Sequence, residues 1–212
     1  DQPRSRGLGD VYKRQFQHVV LCSVVPHAAM LLQQTLGTRA EVHLLDCDSP
    51  LGLRLDYPQP HHIGADRLAN AVAVAHAGRV PAIVIDFGTA VTFDVISAEP
   101  AYCGGVIAPG LGAMNEYLHR RTALLPMIEL REPEHAIGKS TTEAMLAGAI
   151  YGYRGLVKEI LQQLQKELPR KAHVIATGGD AALIANGMPE IDDVDPLITL
   201  RGLQQIACRV FG

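Results

Sequence analysis

The sequence has no tryptophan, and few of its 212 residues are aromatic (5%) or charged (19%). Globular proteins usually carry about 25% charged residues, and the hydrophobic share of 48% excludes a disordered chain. Nineteen Lys and Arg stand against 22 Asp and Glu, a formal net charge of −3. A broad cationic surface for nucleic acid or anionic lipid is therefore not expected. We predict that any anionic ligand is held locally.

Closely spaced cysteines and long apolar runs are also missing. The four cysteines are far apart in sequence and form no C-x-x-C pair: Cys22, Cys47, Cys103 and Cys208. Without such pairs, dithiol or zinc-ribbon chemistry is not indicated, and reduced thiols are expected. Residues 19–32 are the most signal-like stretch, but Pro26 and His27 interrupt it. No run approaches the roughly 18 apolar residues of a membrane span, so we predict a cytoplasmic protein.

The hydrophobic pattern begins abruptly at Phe16. Residues 1–15 carry six charges and show no hydrophobic period. They are typical of a foreign or misassembled end rather than of a folded domain. We leave this segment out of the fold prediction.

From Phe16 onward, the pattern predicts alternating strands and helices. The predicted strands are 18–25, 41–46, 81–85, 91–96, 102–108 and 173–176. The predicted helices are 28–36, 65–77 (ended by Gly78), 112–121, 141–168, 181–185 and 200–210. Three consecutive strands, expected to be antiparallel, followed by helix, strand and helix are typical of a ribonuclease-H-like α/β layout, a mixed sheet with helices on its faces.

One motif joins the first two of these three strands, I-D-F-G-T-A-V-T-F-D at residues 85–94. Gly88 would let backbone N–H groups approach phosphate oxygens, Thr89 could donate its hydroxyl, and Asp86 could hold a cation. The same letters also suit a tight hairpin, where Asp and Gly serve turn geometry. The residues alone leave both interpretations open.

A second motif, G-A-D-R at residues 64–67, starts a helix. Asp66 could be a helix N-terminal acid beside a solvated Arg67. Alternatively, Asp66 is a general base for a substrate hydroxyl and Arg67 contacts an anion. His61 and His62 have metal-ligand chemistry, but with no third ligand in view they are interpreted as surface residues.

Two further motifs contain glycine near a helix start. In A-T-G-G-D-A, Gly178 and Gly179 leave room for a flat ring or ribose against the backbone, although such turns also occur without nucleotide. The segment G-K-S-T at residues 138–141 fails as a Walker A loop because no strand and no earlier glycine precede it. Ser140 and Glu143 instead have the spacing of a capping box.

Taken in order, five segments resemble the type III pantothenate kinase family over residues 16–210. They are Y-P-x-P-x-x-I-G-A-D-R, I-D-F-G-T-A-V-T-F-D, G-G-V-I-A-P-G-L, I-G-K-S-T-T-E-A-M-L-A-G and A-T-G-G-D-A. The resemblance implies a duplicated ribonuclease-H-like fold of the actin and sugar-kinase superfamily, closing around ATP. It implies an enzyme that uses ATP to phosphorylate pantothenate to 4′-phosphopantothenate, the first step of coenzyme A biosynthesis.

The resemblance also implies roles for individual residues. Asp66 becomes the proton acceptor for the pantothenate hydroxyl, and Asp86 a ligand of K⁺ or NH₄⁺ beside MgATP. Thr141 contacts pantothenate across a homodimer interface. The other implied pantothenate contacts are Tyr57, Gly64, Ala65 and Arg67. The ATP contacts indicated by the motifs and the resemblance are Gly88, Thr89, Gly178 and Gly179.

The helix that begins at Thr141 carries an apolar stripe, which suits either a dimer element or simply the core. Its residues are Ala147, Ile150, Leu156, Ile160 and Leu164.

One departure concerns the family's leading D-x-G-N-T phosphate loop, which this sequence does not contain. Residues 1–15 stand in its place. We therefore expect a truncated first ribonuclease-H-like unit at 16–80, a second unit at 81–212 and impaired ATP turnover. The alternative is a non-catalytic regulatory protein of the same family that binds pantothenate or nucleotide.

Overall fold

The computed structural model describes residues 16–212, so the interpretation of residues 1–15 lies outside the described part. The strands are β1 (His18–Leu21), β2 (Glu41–Leu44), β3 (Arg54–Leu55), β4 (Ala82–Phe87), β5 (Ala90–Ile96), β6 (Ala101–Pro109), β7 (His173–Gly178) and β8 (Asp193–Val194). The helices are α1 (Pro26–Leu36), α2 (Ala65–His76), α3 (Leu111–Arg121), α4 (Thr141–Glu167), α5 (Ala181–Ala185) and α6 (Ile198–Phe211). A short 3₁₀ turn, Pro60–His62, precedes α2.

Six strands form one mixed sheet in the order β3-β6-β5-β4-β7-β8. β5 is antiparallel to both of its neighbours, whereas β7 runs parallel to β4 and β8 parallel to β7. The predicted antiparallel arrangement of the three consecutive strands is confirmed. The order β6-β5-β4-β7-β8 is the predicted ribonuclease-H-like sheet. β1 and β2 form a separate parallel pair.

Some predicted boundaries were wrong. The first strand ends at Leu21 rather than at residue 25, because Pro26 opens α1 and the Ser23 hydroxyl accepts the Val25 N–H at 3.1 Å. The sequence analysis missed β3 and β8, which have two residues each and no apolar run. β3 and α2 both belong to the predicted first unit. In the structure β3 pairs with β6 as a strand of the large sheet, and α2 packs on that sheet. The unit boundary at residue 80 stays a prediction.

The two faces of the large sheet carry two different clusters of buried side chains. Side chains alternate along β4, so Ile83, Ile85 and Phe87 join the cluster under α4, while Ala82 and Val84 join the cluster under α2 and α6. Asp86 follows the same alternation and lies on the α2 face.

The first face is covered by α4. Its apolar stripe packs on the sheet, with Ala147 and Ile150 buried and Leu156, Ile160 and Leu164 half-buried against the same cluster. This contact supports the core interpretation of the stripe. Ser140 caps α4 by accepting the Glu143 N–H at 3.2 Å, which confirms the predicted cap. Glu143 in turn accepts the Lys139 N–H at 2.7 Å.

The second face is covered by α2 and α6, which approach each other closely. A Cβ at Gly202 would overlap the carbonyl oxygen of Ala69, so only glycine permits this crossing. The small alanine side chains of α2 likewise allow α6 to approach closely. α2 ends at His76, one residue before the predicted end, and Gly78 follows the cap residue with a φ of +67° in the left-handed region, as expected of a helix-ending glycine. Among residues 16–212, no helix combines the length and the apolar character of a membrane span.

Candidate functional site

Two carboxylates lie near enough for one to act on the charge of the other where the first turn of α2 meets the carboxyl end of β4, a region hereafter called the cleft. Asp66 belongs to α2 and Asp86 to β4, and both are half-buried. Burial raises the pKa of Asp86, the negative charge of Asp66 raises it further, and a hydrogen bond from Asn70 lowers it. Two like charges in this partly desolvated place favour a bound cation or proton between them.

Asn70 fixes the position of Asp86. Its side chain is fully buried, and Nδ2 donates to Asp86 Oδ2 at 3.5 Å. The Thr199 hydroxyl on α6 donates to Asn70 Oδ1 at 2.7 Å, so this amide is oriented from both ends. The chain from Thr199 through Asn70 thus ties Asp86 to both covering helices.

The Asp66 carboxylate sits at the amino end of α2, where the helix dipole favours negative charge. Its Oδ1 accepts the backbone N–H of Arg67 at 2.8 Å. A Cβ at Gly64 would lie 2.5 Å from that Oδ1, so a glycine at this position leaves the carboxylate its place. Within residues 16–212, no side chain donates a hydrogen bond to Asp66. Its Oδ2 is therefore available to a ligand.

Arg67 is held by a buried acid. Its Nε donates to Asp94 Oδ1 at 2.7 Å, and the Tyr102 hydroxyl donates to the same oxygen at 2.8 Å. Burial raises the pKa of Asp94 to about 6, although the charge of Arg67 and both hydrogen bonds lower it. The Arg67 guanidinium also lies 5.7 Å from the centroid of the Tyr102 ring. Its terminal nitrogens are not used in this contact and can meet an anion.

Tyr57 joins this group from the segment after β3. Its ring stands edge-on to Tyr102 with centroids 6.1 Å apart, and 37% of the residue is exposed. It rests on Gly104, where the φ of +103° favours glycine and a Cβ would make ordinary contact with the ring at 3.4 Å. The structure thus brings Tyr57 and Arg67 together around Tyr102.

Three glycine turns converge at the same end of the sheet. Gly88 and Thr89 form the turn between β4 and β5, and the Gly110 N–H donates to the Thr89 carbonyl at 3.1 Å. Gly178 has φ +93°, and a Cβ there would lie 2.7 Å from Asp86 Oδ1. Residues 86–89 therefore form the tight hairpin that one of the two interpretations predicted.

In the turn between β4 and β5, the Thr89 hydroxyl is more available to a ligand than the Gly88 N–H is. That N–H donates to the Ala90 carbonyl at 3.1 Å. Thr89 is exposed, and Gly178 and Gly179 lie exposed on the neighbouring turn. A phosphate group placed here would meet the Thr89 hydroxyl beside open glycine backbone.

Thr141 is placed elsewhere. It is the first residue of α4, which covers the opposite face of the sheet from α2. It lines a groove of about 520 Å³ between α3 and α4, together with Met114, Leu118, Leu125, Met145 and Gly148. Neither Asp66 nor Arg67 lines this groove.

The sequence analysis missed the polar residues that hold the predicted ones: Asn70, Asp94, Tyr102 and Thr199. A signal existed for two of them. Asp94 is the one acid in the apolar strand A-V-T-F-D-V-I, and Asn70 interrupts an alanine-rich helix. An isolated polar residue in an apolar element needs a partner when buried.

The strand order of the large sheet defines a protein of the ribonuclease-H-like fold class. A solved structure from Campylobacter jejuni, described as a Baf family transcriptional activator, shares this fold with a TM-score of 0.60 and 21% identity, over 95% of this chain and 87% of that one. That likeness concerns the fold alone.

Sequence comparison gives the family. The family model described as type III pantothenate kinase matches residues 5–163. A type III pantothenate kinase from Akkermansia muciniphila is 57% identical over 190 residues, covering 90% of this chain and 78% of the relative. One from Methylacidiphilum infernorum is 44% identical over 192 residues, covering 90% and 70%. The chain belongs to the type III pantothenate kinase family.

Proposed function

We propose that this protein uses ATP to phosphorylate pantothenate to 4′-phosphopantothenate, the first step of coenzyme A biosynthesis. The observation that supports this most directly is the pair of carboxylates, Asp66 and Asp86, near enough for the charge of one to act on the other beside three glycine turns. One carboxylate is available to a substrate hydroxyl and the other to a cation. Phosphoryl transfer needs both, because its catalysis consists mainly of positioning and charge stabilisation.

Asp66 is the proposed proton acceptor. Its Oδ1 accepts the Arg67 N–H, which restricts rotation of the carboxylate and leaves Oδ2 for the substrate hydroxyl. Proton loss from the attacking hydroxyl comes late in a loose transition state, so a carboxylate with an ordinary affinity for protons is sufficient. Asp66 would take the proton as the oxygen–phosphorus bond forms and release it to water afterwards.

The pantothenate side of the cleft is assigned to Tyr57 and to residues 64–67. The guanidinium of Arg67 is anchored through Nε to Asp94, which leaves its other nitrogens to bind the pantothenate carboxylate. Gly64 and Ala65 present backbone at the start of α2, and Tyr57 covers the site from the side. Anchoring of this kind orients a substrate at small entropic cost.

The ATP side is assigned to the turns that contain Thr89 and Gly178. The Thr89 hydroxyl would contact a phosphate, and the open backbone of Gly178 and Gly179 would pack against the adenosine. Mg²⁺ would arrive with the nucleotide. The oxygen donors and negative charge around Asp86 suit K⁺ or NH₄⁺, since the two carboxylates leave charge uncompensated there. A cation bound there would offset the phosphate charge.

Thr141 is proposed to act across a homodimer. Its place in a groove that neither Asp66 nor Arg67 lines fits a contact with the partner's substrate rather than with its own. The groove between α3 and α4 has exposed apolar residues, among them Met114 and Leu118, that a second copy would cover. The cytoplasmic localisation predicted from the sequence stays a prediction.

The test is Asp66→Asn, assayed for ADP formation with pantothenate and ATP. We expect turnover to fall on the order of 10²-fold or more, the range for loss of a general base, while pantothenate binding by calorimetry persists. Asp193→Asn is the matched control, because Asp193 pairs with Arg79 and His173 at the other end of the sheet. Near-normal turnover in Asp66→Asn would remove Asp66 from this role. Pantothenate binding without any ADP from the unaltered chain would favour the non-catalytic alternative.

A further inference from the structure

The structure gathers a second set of chemically active side chains outside the cleft. Within residues 16–212, Cys47, Asp48 and His61 form the one group of three or more potential metal ligands, with all ligand atoms within 4.8 Å of one another. Cys47 Sγ lies 2.9 Å from His61 Nδ1. The sequence analysis interpreted His61 as a surface residue because no further ligand was in view, and the fold supplies two.

The three residues come from two separate segments. Cys47 and Asp48 lie in the turn after β2, and His61 lies in the 3₁₀ turn before α2. Fourteen positions separate the cysteine from the histidine. Only the packing of these two turns brings the donors together, so a metal bound there would link them.

The turn that carries Cys47 and Asp48 is held by its own hydrogen bonds. Asp46 Oδ1 accepts from the Asp48 N–H at 3.0 Å and from the Ser49 hydroxyl at 2.9 Å. Ser49 is further fixed by His43 Nε2 at 2.9 Å. Asp46 is therefore occupied within the turn, while the Asp48 carboxylate, which no side chain of residues 16–212 engages, points into the group.

We propose that Cys47, Asp48 and His61 bind a divalent transition metal ion of the Zn²⁺ type, with a fourth position left to water. Thiolate sulfur, imidazole nitrogen and carboxylate oxygen are the ligand types that zinc takes in proteins. Zn–S of about 2.3 Å and Zn–N of about 2.0–2.1 Å place neighbouring ligand atoms roughly 3 to 4 Å apart. To reach this range the sulfur–nitrogen distance of 2.9 Å would open slightly, and any pair of ligand atoms near the 4.8 Å limit would close by about 1 Å.

Charge and protonation agree with a divalent ion. A thiolate and a carboxylate together neutralise two positive charges, and imidazole adds a neutral donor. Binding the metal releases the thiol proton to water.

The site borders the substrate segment. A cavity of about 310 Å³ is lined by Cys47 and His61 and also by Gly64 and Ala65 at the start of α2. A metal ion at Cys47 and His61 would fix the turn that leads into α2. This inference concerns metal binding and stands whether or not the chain phosphorylates pantothenate.

The test uses the full chain, stripped with a chelator and titrated with Zn²⁺, and separately with Co²⁺ as a spectroscopic probe. We expect one Zn²⁺ per chain, a thiolate-to-Co²⁺ charge-transfer band, and a higher melting temperature with zinc. Cys47→Ser should remove the band, and Cys47→Ser and His61→Ala should each weaken zinc binding at least about tenfold, on the scale of losses at metal sites.

His62→Ala and Cys103→Ser are the matched controls, since one is the neighbouring histidine and the other an exposed cysteine outside the group. Both should keep the band and the affinity. The proposal is overturned if the unaltered chain shows no charge-transfer band, or if the control variants lose zinc as Cys47→Ser does. If His61→Ala fails to fold, the Co²⁺ spectrum of the unaltered chain alone decides whether the thiolate is a ligand.

Discussion

The two faces of the six-stranded sheet differ in what they bury. Under α4 the cluster is apolar, built from side chains such as Ile85, Phe87 and Ile150. Under α2 and α6 the same strands present Asp86, Asp94 and Tyr102 among apolar neighbours. Alternation along a strand makes this separation possible, since adjacent residues of β4 and β5 point to opposite faces.

The difference shows how one sheet serves both stability and chemistry. An apolar face buries area without any requirement for partners. A face with buried acids stabilises the fold only if each acid is paired, because an unpaired polar group in the interior is costly. Here every buried side-chain polar atom of residues 16–212 has a partner. The pairing partners, Asn70, Arg67 and Tyr102, are also the residues that orient the cleft.

The largest effect we expect is a loss of stability caused by a substitution on the apolar face. Ile150 is fully buried between α4 and the sheet, so Ile150→Ala should lower the free energy of unfolding by about 2–5 kcal/mol. The cause is the lost transfer energy plus the cavity that remains. Urea or thermal unfolding measures it, with the slope on urea expected to stay unchanged.

Ile137→Ala is the matched control, since Ile137 is 81% exposed. It should change stability by no more than about 0.5 kcal/mol. Neither variant should alter the kcat of the protein that remains folded. An equal loss of stability in both variants would contradict the assignment of the core.

How much of this could be predicted from sequence differs between the faces. The apolar strands of the α4 face predict their own burial, and the predicted stripe of α4 finds the buried Ile150. The stripe is less accurate beyond that residue, because Leu156, Ile160 and Leu164 are half-buried while Val157 and Leu161, which it did not include, are buried.

The cleft could be predicted only in part. Asp66 and Asp86 stand in recognisable motifs beside glycine, whereas Asp94 is joined to Arg67 by strand pairing and helix packing over 27 positions. Neither the hydrophobic periodicity nor the motif spacing of the sequence predicts the contact between Arg67 and Asp94.

The next effect concerns pH on the polar face. Burial raises the pKa of Asp94 to about 6, so the proton leaves this carboxyl between about pH 5 and pH 7. Below that range the neutral acid holds Arg67 less firmly. On the proposed function, kcat/KM for pantothenate should fall about tenfold between pH 7.5 and pH 5, because the ionised fraction falls by that factor.

Stability should respond to Asp94 in the opposite direction. A folded pKa above the unfolded value of 3.8 means that the folded state binds the proton more tightly. The stability that this group contributes is fully present below pH 3.8 and is lost as pH rises through about 6. Asp94→Asn should remove both the acid limb of kcat/KM and this slope of stability. If the acid limb persists in Asp94→Asn, another group causes it.

The smallest effect we expect is a loss of stability at the amino-terminal cap of α4. Ser140 accepts the Glu143 N–H, and Ser140→Ala should cost about 1 kcal/mol of stability. Ser140→Asp keeps an acceptor at the cap and should restore most of that loss. Thermal unfolding of the three proteins measures this series.

The kinetic consequence of the cap separates structure from substrate binding. Thr141 follows Ser140 directly, so a frayed first turn of α4 moves the group proposed to contact pantothenate in the partner subunit. Ser140→Ala should therefore raise KM for pantothenate while leaving kcat nearly unchanged, and Ser140→Asp should return KM towards its normal value. If KM stays constant across the series while stability changes, the first turn of α4 belongs to the stabilising face alone, and the proposed role of Thr141 loses its support.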